Sequence, residues 1–103
     1  MDTIIVNLTP HVLRLTDGRE FAPSGTIARV ASSYSEFDAR GVCRVVFGEV
    51  FGVPDPQPDT LYIVSGLVSK AMPDRDDVVA PATGHPQAVR RDGQVWAVPG
   101  WTK

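Results

Sequence analysis

Short apolar runs separated by turn-forming residues recur along the whole chain. They lie at residues 3–6, 12–15, 27–30, 42–50, 61–64 and 95–98. Segments of this length, rich in β-branched and aromatic residues and bounded by Gly, Pro, Asp or Asn, are typical of β-strands. The longest run, 42–50, would place Cys43, Val45 and Phe47 on one face of a strand.

One segment has helical periodicity instead. Its apolar residues recur at the spacing that forms one face of a helix: Val64, Leu67, Val68 and Ala71. Ser65 is suited to cap the amino end, and Pro73 cannot continue the helix. The pattern therefore predicts a helix over residues 65–72.

The connections between these segments are short. Asp17-Gly18 and Asp92-Gly93 are typical of tight hairpin turns, and three prolines between residues 51 and 60 exclude a helix or a central strand there. Together the patterns predict an α+β fold with a mostly antiparallel β-sheet of about six or seven short strands and one or two short helices. A chain of 103 residues is expected to form a single domain, 1–103.

Composition narrows the possible functions. The formal charge is −2 with both signs interspersed, whereas binding to duplex nucleic acid needs a clearly basic surface. The single cysteine, Cys43, excludes an internal disulfide. The apolar run at residues 4–6 is too short for a signal peptide, and no segment is long enough to cross a membrane. We therefore expect a cytoplasmic protein, in the host cytoplasm if the chain is viral, without membrane or duplex nucleic acid partners.

Neither metal nor catalytic motifs are found. His11 and His85 each lie beside a proline, without the ligand spacing of a zinc site. The run Asp74, Asp76 and Asp77 lacks the glycine and the later glutamate of a calcium loop. There is no nucleophile-elbow motif and no Walker sequence. We expect a protein that is not an enzyme and that holds no metal or cofactor.

The positive charge is nearly all arginine, since the chain has only two lysines. A planar guanidinium matches phosphate oxygens better than an ammonium group does. The arginines in or beside predicted strands and turns are Arg29, Arg75, Arg90 and Arg91, and the rings that could stack on a base are Phe51, Tyr62, Trp96 and Trp101. The alternatives are that the rings belong to the core and that Arg75 pairs with the neighbouring aspartates. Because Arg90 and Arg91 are adjacent on a strand, they face opposite sides.

Several blocks together carry a family resemblance. They are 7–11 (NLTPH), 23–25 (PSG), 28–30 (ARV), 48–50 (GEV), 61–65 (LYIVS), 75–77 (R-x-D), 80–81 (AP) and 88–90 (AVR). Spread over most of the chain, they resemble the Thoeris anti-defence family of phage nucleotide sponges. Such proteins sequester cyclic ADP-ribose isomers and, in some members, cyclic oligonucleotides made by bacterial immune enzymes.

The resemblance implies a homodimer or higher homo-oligomer that binds its cyclic nucleotide without cleaving it, in pockets between subunits. Arg29 and Arg90 would engage the phosphates, and Tyr62 would stack on the base. A polar contact after the helix would come from Asp74 or Asp76. Since an aspartate repels phosphate, it would suit a ribose or a base edge instead. Arg75 and Ser24, which lie in matched blocks, complete the predicted ligand-binding residues.

The main alternative is a protein-binding accessory module of phage or bacterial origin with no nucleotide ligand. It predicts a monomer with a contiguous exposed apolar patch, for instance around Trp96 and Trp101, and no stabilisation by any nucleotide. A small hydrolase or deaminase would need a convergent acid–base pair, for which the sequence has no motif.

Overall fold

The computed structural model describes residues 3–103 as ten short strands and one helix. In chain order these are β1 (Ile4–Asn7), β2 (Leu13–Arg14), β3 (Glu20–Phe21), β4 (Arg29–Tyr34), β5 (Val45–Phe51), β6 (Thr60–Ile63), α1 (Gly66–Ala71), β7 (Val78–Pro81), β8 (Val89–Arg91), β9 (Gln94–Ala97) and β10 (Trp101–Thr102). The predicted α+β class, with strands predominating, is confirmed. The strands exceed the expected number partly because β3 and β10 have only two residues each, too few to carry a pattern.

A four-stranded sheet with the order β1-β6-β7-β10 forms the centre. Its β1–β6 and β6–β7 pairings are parallel, and β7–β10 is antiparallel. The remaining pairs, β2–β3, β4–β5 and β8–β9, are antiparallel ribbons. Antiparallel pairing thus predominates as predicted, but the centre of the sheet is parallel. For β6 and β7 the reason is the β6–α1–β7 crossover, since a helix between two strands returns the chain in the same direction.

The core lies between this sheet and α1. Its buried residues are Leu8, Ala28, Tyr62, Val64, Val68 and Val78, with Val6, Val30, Val50, Val53 and Met72 packed around them. The continuous apolar run of β6 is explained by its central position, where both faces are covered. Every buried side-chain nitrogen or oxygen in the described residues has a hydrogen-bond partner.

The helix and the last hairpin form as their local sequences predict. The Ser65 hydroxyl accepts a hydrogen bond from the Val68 N–H (3.3 Å) and caps α1, which ends before Pro73. No helix in residues 3–103 is long and apolar enough to span a bilayer. Between β8 and β9, Asp92 (φ 53°) and Gly93 (φ 78°) both adopt the left-handed conformation that a tight hairpin turn requires.

The β4–β5 ribbon extends away from the rest of the molecule. We call residues 29–51, which comprise β4, β5 and the loop between them, the arm. The prediction of a short strand at 27–30 and an irregular segment at 32–41 was wrong in extent, because pairing with β5 keeps β4 extended as far as Tyr34. The molecule is elongated, with extents of 49 × 36 × 21 Å.

Candidate functional site

The loop that follows β1 is fixed by the buried side chain of Asn7. Its Nδ2 donates hydrogen bonds to the carbonyl oxygens of His11 (2.7 Å) and Phe21 (3.0 Å). Its Oδ1 accepts from the backbone N–H of Thr9 (2.9 Å) and from the Thr9 hydroxyl (2.7 Å). All the hydrogen-bonding groups of the amide are thereby engaged. Asn7 therefore sets the course of the Thr9–Pro10–His11 segment.

Two surface pockets meet at this segment and share Thr9, Pro10 and Ser65 as lining residues. The arm-side pocket, of about 330 Å³, is bounded by the start of the arm and by α1. The sheet-edge pocket, of about 720 Å³, lies beyond the carboxyl ends of β1, β6 and β7. Both volumes are within the range of small-molecule sites. Ligands of open α/β sheets bind at this end of parallel strands, and the sheet-edge pocket has that position.

Arg29 lines the arm-side pocket. In residues 3–103, Arg29 forms no ion pair with a carboxylate. Four other arginines do: Arg14, Arg19, Arg40 and Arg75. Its direct cross-strand partner is Phe51, whose relative exposure is 56%. The base of the arm thus presents an arginine without a described carboxylate partner next to an exposed aromatic ring. Arg29 lines the arm-side pocket, whereas Phe51 stands beside it and is not part of its lining.

The sheet-edge pocket contains Arg14 and Trp96. The Arg14 guanidinium lies 4.1 Å from the centroid of the Trp96 ring, and that of Arg91 lies 4.2 Å from it. Arg14 also donates from Nε to Glu20 (3.0 Å). Since two guanidinium groups already cover Trp96, its ring is not free to stack on a base.

Arg90 lies at the rim of the sheet-edge pocket. Its Nη2 donates a long hydrogen bond to the carbonyl oxygen of Thr83 (3.4 Å), a residue that lines this pocket. No carboxylate of residues 3–103 forms an ion pair with Arg90. Arg90 and Arg29 do not line one pocket of a single chain. Arg29 lines the arm-side pocket, whereas Arg90 lines neither pocket and contacts the sheet-edge pocket only through Thr83.

Arg75 is held within the chain. Its Nε and Nη2 donate to the two carboxylate oxygens of Asp77 at 2.7 and 2.9 Å, and Nη2 also reaches the carbonyl oxygen of Pro54 (3.0 Å). The hydrogen bonds from Arg75 lower the pKa of Asp77, and the same pair raises the pKa of Arg75. The structure therefore favours the alternative interpretation, in which Arg75 pairs with a nearby aspartate, over a ligand contact.

Two further predicted contacts lie outside both pockets. Asp76 is exposed in the loop before β7. Ser24 is exposed in the turn before the arm, where its hydroxyl makes only long contacts of 3.4 Å with Thr26. Neither residue lines the arm-side or the sheet-edge pocket.

The structure corrects the stacking role predicted for Tyr62. Its relative exposure is 3%, its ring belongs to the core, and its hydroxyl donates to the carbonyl oxygen of Asp55 (3.2 Å). The reason is that its side chain packs in the core beside Val68 of α1 and Val78 of β7, which leaves no room for a base. Trp101 is half-buried, with its ring edge-on to Phe21 at 5.9 Å. Of the four rings considered for stacking, Phe51 is the one that stands exposed without a guanidinium over it in the described structure.

Sequence reasoning missed the role of Asn7 and the pairing of Arg29 with Phe51. Asn7 is the only asparagine of the chain and directly follows a β-branched strand, which was a usable signal. The Arg29–Phe51 pairing depends on strand register across 22 residues, for which the sequence has no signal.

The described residues contain no group of three or more His, Cys, Asp or Glu side chains placed to hold a metal ion. Comparison with models of protein families, with curated proteins and with solved structures gives no match.

Proposed function

We propose that this chain binds a cyclic nucleotide immune signal and sequesters it without cleaving it, which would counteract bacterial anti-phage defence. The ligand would be a cyclic ADP-ribose isomer or a cyclic oligonucleotide, captured in the cytoplasm of the host cell. The observation that supports this best is at the base of the arm. There Arg29 lacks a described carboxylate partner, lines a pocket and stands opposite the exposed ring of Phe51.

This combination suits the two chemical parts of a nucleotide. A guanidinium can donate two parallel hydrogen bonds to a phosphate, and an aromatic ring can stack on a base. Ser65, which lines the same pocket, adds a hydroxyl group that can donate to a ribose or phosphate oxygen. In this proposal Phe51 takes the role that the buried Tyr62 does not fill.

The proposal includes more than one copy of the chain in each complex. A sponge must outcompete the receptor of the signal, which requires a dissociation constant of about 1 µM or lower. Both pockets of the single chain are open to solvent on one side, where charged hydrogen bonds are weak. A second copy would exclude water from the pocket. It could also bring its Arg90 to the phosphate bound by Arg29 of the first copy.

The experiment is calorimetric titration of the wild type with cyclic ADP-ribose isomers and cyclic di- and trinucleotides. The ligand that binds is then released by heat and analysed by mass spectrometry. Arg29→Gln is expected to weaken binding about tenfold or more, because a hydrogen bond to a charged group contributes roughly 1.5–3 kcal/mol. Arg40→Gln is the matched control, since Arg40 is exposed and pairs with Asp38 (2.9 Å) on the arm.

Equal binding by the wild type and Arg29→Gln would contradict the proposed site. Release of a hydrolysed nucleotide would contradict sequestration. A wild type that binds none of these ligands would leave the second candidate function, a protein-binding accessory module. This alternative is favoured by the exposed apolar side chains of the arm, Tyr34 and Phe37 among them, although not by the region around Trp96 and Trp101 where the sequence suggested a patch.

A further inference from the structure

The arm is apolar on surfaces that nothing in the described chain covers. Its exposed large hydrophobic residues are Tyr34, Phe37, Val42, Val45, Val46, Phe47 and Phe51. Tyr34 and Phe37 have relative exposures of 74% and 72%. Isolated surface hydrophobics are ordinary, but so many on one ribbon mark an interaction site.

Strand register places these side chains on both faces of the ribbon. Along β4, Val30, Ser32 and Tyr34 pair with Val50, Phe47 and Val45, so these residues share one face. That face packs on the core through Val30 and Val50 and then continues outward beyond it. The opposite face holds Val46 and Phe51, which pair with Ser33 and Arg29. Strands that are apolar on both faces are typical of sheet interiors rather than of exposed two-stranded ribbons, which are marginally stable alone.

The surface of the molecule is large enough to contain a whole interface. Its accessible area is 7082 Å² for a mass of 11.1 kDa, whereas a compact monomer of this mass exposes about 5,700 Å². The radius of gyration is 15.3 Å, compared with about 13 Å for a compact chain of this length. The excess area of about 1,400 Å² exceeds the roughly 800 Å² that each partner buries in a standard protein interface.

The charges of the arm match a second copy of the same arm. Asp38 and Arg40 neutralise each other at the tip. In the described structure Arg44 has no carboxylate partner, and Glu36 and Glu49 have no basic partner. A two-fold axis would bring the arginine of one arm towards a glutamate of the other, twice over. A strongly acidic partner would leave Glu36 and Glu49 without an opposite charge, and a strongly basic partner would leave Arg44 without one.

We propose that the arm is a self-association surface, on which a second copy of this chain packs its own arm across a two-fold axis. This inference rests on the homo-oligomeric part of the proposed function and does not depend on the nucleotide. It identifies which surface joins the copies. Because Arg29 and Phe51 lie at the base of the arm, the partner copy would cover the open side of the arm-side pocket.

The experiment is sedimentation velocity of the wild type and three lysine variants over a range of concentrations. At about 10 µM, where interfaces of standard size are populated, the wild type is expected to sediment as a dimer or a larger even oligomer. Val45→Lys and Val46→Lys change the two faces of the arm separately. If a second copy covers the arm, each substitution places a lysine charge inside the interface. At least one of them is therefore expected to raise the dissociation constant of the dimer by about tenfold or more. Val89→Lys is the matched control, because Val89 is an exposed valine on a two-stranded ribbon outside the arm.

A monomeric wild type would overturn the inference, as would equal association by the wild type and both arm variants. Weakening by Val89→Lys alone would place the interface elsewhere and would overturn it too. Circular dichroism of each variant separates loss of assembly from loss of folding, since the substituted side chains are exposed in the single chain. Calorimetry with cyclic ADP-ribose distinguishes the two proposals. A monomer that binds nucleotide contradicts the self-association, including the oligomeric part of the proposed function, but leaves the nucleotide site standing. A dimer that binds none contradicts only the nucleotide site.

Discussion

Arg29 and Phe51 stand directly opposite each other in the antiparallel ladder at the base of the arm. Side chains in such cross-strand pairs are close neighbours on one face of a sheet. Here one is a cation without a described carboxylate partner, and the other is an exposed ring. Their separation in sequence hides this relationship, which only the register of the ribbon reveals.

Replacing Phe51 by leucine is expected to weaken nucleotide binding while leaving the fold intact. Leucine keeps an apolar side chain at the position but removes the flat ring, and base stacking contributes about 1–3 kcal/mol. Calorimetric titration of the ligand identified with the wild type measures the change. Phe37→Leu is the control, because Phe37 is also an exposed ring of the arm, at 72% relative exposure compared with 56% for Phe51. Equal losses in the two variants would indicate a general effect of the arm and not stacking on Phe51.

Replacing Asn7 by aspartate is expected to destabilise the protein by about 2–4 kcal/mol. The substitution keeps the size of the side chain but places a carboxylate oxygen against the carbonyl oxygens of His11 and Phe21, which now accept hydrogen bonds. Urea unfolding measures the loss. Gln57→Glu makes the same chemical change at an exposed position and should cost little. A loss as small as that of the control would mean that the Asn7 network contributes little to stability.

The loss of stability caused by Asn7→Asp should also become smaller as the pH falls. The buried carboxyl would have a pKa raised above its ordinary value of about 3.9, because burial and the facing carbonyl oxygens disfavour the anion. Once protonated, it can donate to one of those carbonyl oxygens. Urea unfolding from pH 7 down to about pH 4 should bring the variant closer to the wild type. A constant difference over this range would contradict the explanation.

Replacing Gly52 by alanine is expected to be more damaging than the same change at Gly18. Both glycines have positive φ, 85° and 97°, so alanine is strained at either position by roughly 1–2 kcal/mol. At Gly52, however, the added Cβ would lie 2.7 Å from the carbonyl oxygen of Ile27, whereas at Gly18 it would meet nothing within 4 Å. Thermal unfolding of the two variants isolates the steric part. Equal melting temperatures for Gly52→Ala and Gly18→Ala would show that the chain around Ile27 can shift to accept the added Cβ without loss of stability.

The pair Arg75–Asp77 predicts an acid-dependent part of the stability. Arg75 holds the pKa of Asp77 below its ordinary value in the folded chain. The resulting stabilisation is fully present above the unfolded pKa of about 3.9 and is lost as the pH falls through the lower folded pKa. Asp77→Asn should therefore cost about 1–3 kcal/mol at pH 7, and its difference from the wild type should narrow below about pH 4. Urea unfolding at several pH values tests this, and a difference that does not change with pH would refute it.

Local signals in the sequence predicted the local elements. The helix follows from the spacing of four apolar residues and from the Ser65 cap, and the β8–β9 hairpin follows from Asp92-Gly93. These depend on neighbours in the chain, so no long-range information was needed. The parallel centre of the sheet was not predicted, because an apolar run such as that of β6 does not reveal which strands lie beside it.

The candidate site was predicted less completely, because it depends on contacts between residues that are distant in sequence. The availability of Arg29 and the pairing of Arg75 both depend on which carboxylates reach each guanidinium. Four aspartates lie close to Arg75 in space or sequence, and only geometry selects Asp77. Tyr62 was assigned to the ligand because strand periodicity cannot tell a central strand from one at an edge, and β6 is central.

The amide of Asn7 has a consequence for the speed of capture. It holds Thr9 and the backbone at His11 in place by hydrogen bonds made entirely within the chain. In the proposed function, the Thr9–Pro10–His11 segment that lies between the two pockets would therefore not have to become ordered when the ligand arrives. Ordering one residue costs about 1–2 kcal/mol, and association slows when it has to wait for a rearrangement. A protein that sequesters a nucleotide would gain from this order, because faster association would let it bind the nucleotide before a competing receptor does.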